Sequence, residues 1–185
     1  KRLHYHDIDT RAMAKFKHNM HGLGMELVPY DNAGQAIADA DIVTTATAAR
    51  CRARLFGLSQ LKAGAHIHAV GGDSEGKTEL DPDILSRCKL VVEYLEQTRD
   101  EGEIQNASVD LVHGEIWEII TGCKPGREND QEITLFDAVG FALEDYSILK
   151  LVYRLAQEFN IGREVSMLPK LDNPKDLFSV LRSAS

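Results

Sequence analysis

Short runs of apolar and β-branched residues alternate along this chain with amphipathic stretches at helical spacing. Residues 3–6 read as a strand, and the Asp7-Ile8-Asp9-Thr10 that follows offers an Asp or Thr10 to cap a helix over 11–20. Residues 26–29 form the next strand pattern, 34–40 a short helix, and 41–47 a β-branched strand that runs into a loop. A helical turn over 57–61 leads to 65–70, whose small and branched residues predict a strand. Residues 82–87 then read as helix and 89–94 as strand.

Beyond that point the charged stretch 95–106 reads as a solvated face or loop. Residues 108–121 carry apolar positions at helical spacing from Leu111 onward, which predicts an amphipathic helix closed by Gly122. Trp117 lies on its apolar stripe and is expected to pack rather than to stack on a ligand. Residues 124–131 form a polar loop, 132–137 a strand and 141–160 the longest helix, ended by Gly162. A final strand over 164–168 stops at Pro169. Strands alternating with helices predict an α/β fold with a mainly parallel sheet flanked by helices.

Composition narrows the function. Of 185 residues, 43% are hydrophobic and 27% charged, the balance of an ordinary globular protein, and a net charge of −8 disfavours nucleic acid or an anionic membrane as the main partner. No run reaches the length of a membrane helix, and the amino end lacks the apolar core of a signal peptide. Cys51, Cys88 and Cys123 have no zinc or redox spacing and are expected to be reduced, which predicts a cytoplasmic location. The first residue is Lys1 rather than Met, which suggests a fragment or a processed product.

Candidate chemistry concentrates in Ala69-Val70-Gly71-Gly72-Asp73-Ser74-Glu75-Gly76-Lys77-Thr78-Glu79-Leu80. Two glycines let backbone approach a ligand, and Asp73 falls at the carboxyl end of a strand, where open α/β sheets bind ligands. A Gly-Gly turn with a solvated Asp is the other reading. Asp7, also at a strand end, suits the ribose hydroxyls of NAD and repels the extra phosphate of NADP, with helix capping as its alternative. The G-x-G-x-x-G fingerprint is absent. His4 and His6, and again His66 and His68, are spaced to share a strand face, but the sequence places no third ligand, so no metal is expected.

Residues 69–80, together with Glu93-Tyr94, Gln97-Thr98-Arg99, Glu101-Gly102-Glu103-Ile104-Gln105 and the run from Phe136 to Tyr146, resemble the ornithine cyclodeaminase branch of the ornithine cyclodeaminase/mu-crystallin family. The resemblance covers nearly the whole chain. It implies that about the first half of a usual member is missing, including the first nucleotide-binding strand. It implies a partial Rossmann-like NAD-binding domain over 1–160, followed by a segment, 161–185, that returns to a substrate and dimerisation domain. It implies conversion of L-ornithine, or a related amino acid, to L-proline and ammonia with NAD as recycled cofactor, in a homodimeric intact protein. This chain alone is expected to be inactive.

Residue by residue, the resemblance implies Asp73 as the catalytic acid/base and Asp7 as the ribose contact. It implies Thr47, Val70, Gly71, Gly72 and Lys77 as cofactor contacts and Val139 as a substrate contact. Ala138 stands where the family's ornithine enzymes carry Ser, so only a backbone contact to cofactor is expected there. The acidic run 93–103 gains an implied role near the site. A ketimine reductase, an amino-acid dehydrogenase and a non-catalytic mu-crystallin-like binding protein are the alternatives.

Overall fold

The alternating pattern becomes two parallel sheets in the computed structural model, which describes residues 1–165 and Lys175. Strands β1 (Arg2–Tyr5) and β2 (Glu26–Pro29) form one sheet. Strands β3 (Ile42–Thr45), β4 (His66–Ala69), β5 (Lys89–Val92), β6 (Val112–Glu115) and β7 (Thr134–Asp137) form the other, in the order β3-β4-β7-β5-β6. Each of its pairings is parallel, as expected. The chain divides into two compact units, Lys1–Phe141 and a second that begins at Ala142 with helix α6 (Ala142–Glu158).

Local chemistry explains the helix starts. Asp9 caps α1 (Thr10–Met20) by accepting from Arg11 N at 2.8 Å. Asn32 caps α2 (Ala33–Ile37) by accepting from Gln35 N at 2.9 Å. Asp81 caps α3 (Pro82–Leu85), which begins on a proline whose missing N–H costs nothing there. The core forms on one face of the large sheet, where Val43, Ile67, Leu90, Val92 and Leu135 meet Leu80, Ile84 and Leu85. Each large side chain buried in this way contributes about 1.5–3 kcal/mol.

Several sequence expectations are corrected. Residues 95–106 are not a solvated loop: they form helix α4 (Leu95–Glu101) and a 3-10 turn, Glu103–Asn106, with Thr98, Glu103 and Ile104 buried. Their charges misled because the buried acid is satisfied by backbone donors. Residues 108–121 are not one helix. A 3-10 turn, Val109–Leu111, precedes β6, and only α5 (Ile116–Ile120) is α-helical, because Val112, Gly114 and Glu115 pair alongside β5. Trp117 is 53% exposed and donates from Nε1 to Glu115 Oε2 at 2.6 Å, so it does not pack on a buried helix face. Residues 57–61 contain a 3-10 turn, Leu58–Gln60. Residues 164–165 are irregular rather than strand, and 166–168 lie outside the described residues.

Candidate active site

Inserting β7 between β4 and β5 brings four carboxyl ends side by side, although they are distant in sequence. The ladder continues one residue past the strands: Val70 N donates to Thr45 O at 3.1 Å, Ala138 N to Ala69 O at 3.0 Å and Glu93 N to Asp137 O at 3.1 Å. Thr47 thus follows β3, Val70-Gly71-Gly72-Asp73 follow β4, Ala138 and Val139 follow β7, and Glu93 follows β5, all along one edge.

Asp73 sits in a turn that folds its own cation back onto it. Lys77 N donates to Ser74 O at 3.1 Å, and Lys77 Nζ lies 2.9 Å from Asp73 Oδ1. The Lys77 residue is 9% exposed, whereas the Asp73 side chain is 52% exposed and accessible to a ligand. Gln105 clamps the turn from outside, accepting from Gly76 N at 2.7 Å and donating to Ser74 O at 3.1 Å. Ala48, Arg50, Asp73 and Lys77 line a cavity of about 530 Å³. A cavity of about 590 Å³ at the amino ends of β5 and β6 includes none of these residues.

Behind the edge lie four buried carboxylates: Glu79, Glu93, Glu103 and Asp137. Glu79 Oε1 accepts from Thr47 N at 2.6 Å and from the Thr47 hydroxyl. Glu103 accepts from Glu79 N at 2.8 Å and from Leu80 N at 2.9 Å. Asp137 Oδ2 accepts from Ile104 N at 3.2 Å, and Glu93 Oε2 accepts from Gly140 N at 2.6 Å. Burial pushes Glu103 up to about 7 against the pull of its two backbone donors. Burial likewise raises Asp137 to about 7, with the neighbouring Glu103 and Glu93 charges adding to the rise.

These acids explain the two glycines. A Cβ on Gly71 would collide with the Glu79 carboxylate, and one on Gly72 would lie 2.7 Å from Glu103 Oε1. The turn that carries Asp73 therefore rests directly on buried carboxylates.

Of the residues singled out in the sequence, Thr47, Val70, Gly71, Gly72, Asp73, Lys77, Ala138 and Val139 meet at this edge. Asp7 stands elsewhere, at the carboxyl end of β1 in the two-stranded sheet, exposed, with Oδ1 accepting from Asp9 N at 2.8 Å. The helix cap in that loop is Asp9. The histidines are dispersed onto separate partners: His4 on Ala36 O, His6 on Tyr30 O, His66 on the Thr134 hydroxyl and His68 stacked on Phe136. Among the described residues no group of three or more His, Cys, Asp or Glu is placed to hold a metal. Sequence reasoning did not single out Glu79. Its signal was faint: one acid between Thr78 and Leu80, 32 residues from the Thr47 it holds.

The chain is similar to known proteins of one family. Residues 1–160 match the family model for the ornithine cyclodeaminase/mu-crystallin family. The chain is 43% identical over 180 residues to an ornithine cyclodeaminase of Brucella suis biovar 1 (strain 1330), covering 97% of this chain and 50% of that protein. It thus spans about half the length of the curated relatives it matches. Among solved structures it is similar to an archaeal alanine dehydrogenase dimer with bound NAD, with a TM-score of 0.80 and 35% identity over 88% of this chain and 52% of the other. It is equally similar to the Delta(1)-pyrroline-2-carboxylate reductase of Thermococcus litoralis in complex with NADH and L-proline, with a TM-score of 0.80 and 33% identity over 86% and 51%.

Proposed function

The chain belongs to the ornithine cyclodeaminase/mu-crystallin family, and from that premise we propose that the intact protein converts L-ornithine to L-proline and ammonia with NAD. The observation that carries the reading is the half-exposed Asp73 carboxylate at the carboxyl end of β4, steadied by Lys77 at 2.9 Å and facing a cavity. A protein that only binds a ligand has no need of a proton-transfer group at that point.

The residues fit NAD. Lys77 and Arg50 supply cations to one cavity beside the Gly71-Gly72 turn, and half-buried Val70 and Val139 offer apolar surface. When bound, NAD would supply reversible hydride transfer at the substrate's α-carbon. Asp73 takes a proton from the substrate's α-nitrogen as the imine forms and, once the side-chain amine has added to the imine carbon, returns one to the departing ammonia, which is general acid/base catalysis by a single carboxylate. Lys77 orients that carboxylate through Oδ1. Thr47 and the Ala138 backbone border the cofactor, Val139 the substrate, and Asp7 binds the adenosine ribose.

In this reading residues 1–160 form the cofactor-binding part of a cytoplasmic homodimer, and the expected return of 161–185 to its substrate and dimerisation domain falls largely outside the described residues. Similarity to an alanine dehydrogenase and a pyrroline-carboxylate reductase supports a second reading, in which the intact protein interconverts an amino acid and an imine or oxo acid with net cofactor turnover.

One experiment separates them: the intact protein is incubated with L-ornithine and substoichiometric NAD. Proline and ammonia in equal amounts, exceeding the NAD supplied and without accumulation of NADH, are expected. NADH formed in proportion to product would replace the cyclodeaminase with a dehydrogenase.

A further inference from the structure

Glu79 is fully buried, yet its carboxylate touches two segments that border the candidate site. Oε1 accepts from both Thr47 N and the Thr47 hydroxyl, which pins the segment after β3. The same carboxylate occupies the space that a Cβ on Gly71 would need, so it also supports the turn after β4. Its own backbone is held on both sides: Glu79 N donates to Glu103 Oε1 at 2.8 Å, and Glu79 O accepts from Leu55 N at 3.0 Å. Oε2 finds no hydrogen-bond partner among the described residues. Burying a carboxylate with a free oxygen costs stability, and an apolar side chain would fill the same space without that cost.

We propose that Glu79 is a positioning residue for the cofactor site, a reading that rests on the NAD-dependent function above. It fixes the Thr47 segment relative to the Gly71-Gly72 turn, so that both walls of the cofactor site are set by one side chain that never touches the cofactor. Thr47 N–H is thereby committed to the protein interior. Its hydroxyl donates inward as well, and its oxygen accepts from Ala49 N at 3.4 Å, which leaves one lone pair to accept from a ligand.

Three variants of the intact protein test this. Glu79→Met keeps nearly the same volume without an acceptor, Glu79→Asp ends one methylene short of Thr47, and Glu79→Gln retains an oxygen that can accept both bonds. Two readouts are taken: amide hydrogen exchange of residues 46–49 in the NAD-free protein, and the dissociation constant for NAD by titration calorimetry. Loss of two hydrogen bonds is expected to raise both exchange and Kd by about tenfold or more in Glu79→Met and Glu79→Asp, with Glu79→Gln within about threefold of wild type. A merely structural role would lower the melting temperature and leave exchange at 46–49 and NAD affinity in the folded protein unchanged. That result, in either Glu79→Met or Glu79→Asp, overturns the proposal. Failure of the wild type to bind NAD instead overturns the cofactor reading on which it rests.

Discussion

The ammonium of Lys77 lies 2.9 Å from Oδ1 of Asp73, with the lysine nearly buried and the carboxylate half exposed. Three residues in a tight turn separate them, and Gln105 holds that turn closed. An ion pair whose carboxylate is half exposed adds little stability, so its value lies in orientation. The relationship makes Asp73 a directed group at the end of β4 rather than a solvated turn residue.

Asp73→Asn in the intact protein is expected to keep NAD affinity within about threefold while reducing proline formation by a factor on the order of 10² to 10⁴. Proline release and NAD titration on the same preparation check this. Normal turnover would remove Asp73 from the mechanism.

Gly71→Ala forces a methyl group against the Glu79 carboxylate. Overpacking of this kind is expected to cost about 1–3 kcal/mol, read by urea denaturation. Combining it with Glu79→Ala should cost less than the sum of the two single variants, because the collision partner is gone. Strict additivity would mean that the two groups do not press on each other.

Stability should fall as pH rises through neutrality. Glu103 and Asp137 are both raised by burial to about 7, above their ordinary carboxylate values. Between about pH 4.5 and 7 the folded state therefore binds more protons than the unfolded one, so this contribution is complete below the ordinary carboxylate range and lost on approaching and passing 7. Melting temperatures from pH 5 to pH 8 should decline, and Glu103→Gln should flatten the decline. An equally steep profile in that variant would move the titration to other groups.

Trp117 packs far less than its apolar neighbourhood suggests. Being 53% exposed, it should tolerate Trp117→Ala at a cost of about 1 kcal/mol or less, whereas Leu135→Ala, in the core, should cost about 2–5 kcal/mol. Denaturant midpoints of the two variants give the comparison.

What the sequence by itself determined is the local part of this protein. The runs around Val43, Ile67 and Leu90 specified strands, because β-branched and apolar residues in short blocks suit a buried sheet whatever surrounds them. Residues 7–10 marked a helix start, through a bond from Arg11 N to Asp9 that spans only two residues. The motif around Asp73 and Lys77 was legible for the same reason, since its defining contact spans four residues. Tertiary structure alone decided that β7 lies between β4 and β5, and hence that Thr47, Asp73 and Ala138 share an edge. It alone decided that Val112–Glu115 leaves the helical pattern to pair with β5, since a neighbouring strand outweighs helical periodicity. It alone turned Glu79 and Glu103 from surface charges into buried supports, because a carboxylate becomes tolerable inside only where distant backbone N–H groups and side-chain-free glycines converge on it. No local pattern encodes that convergence.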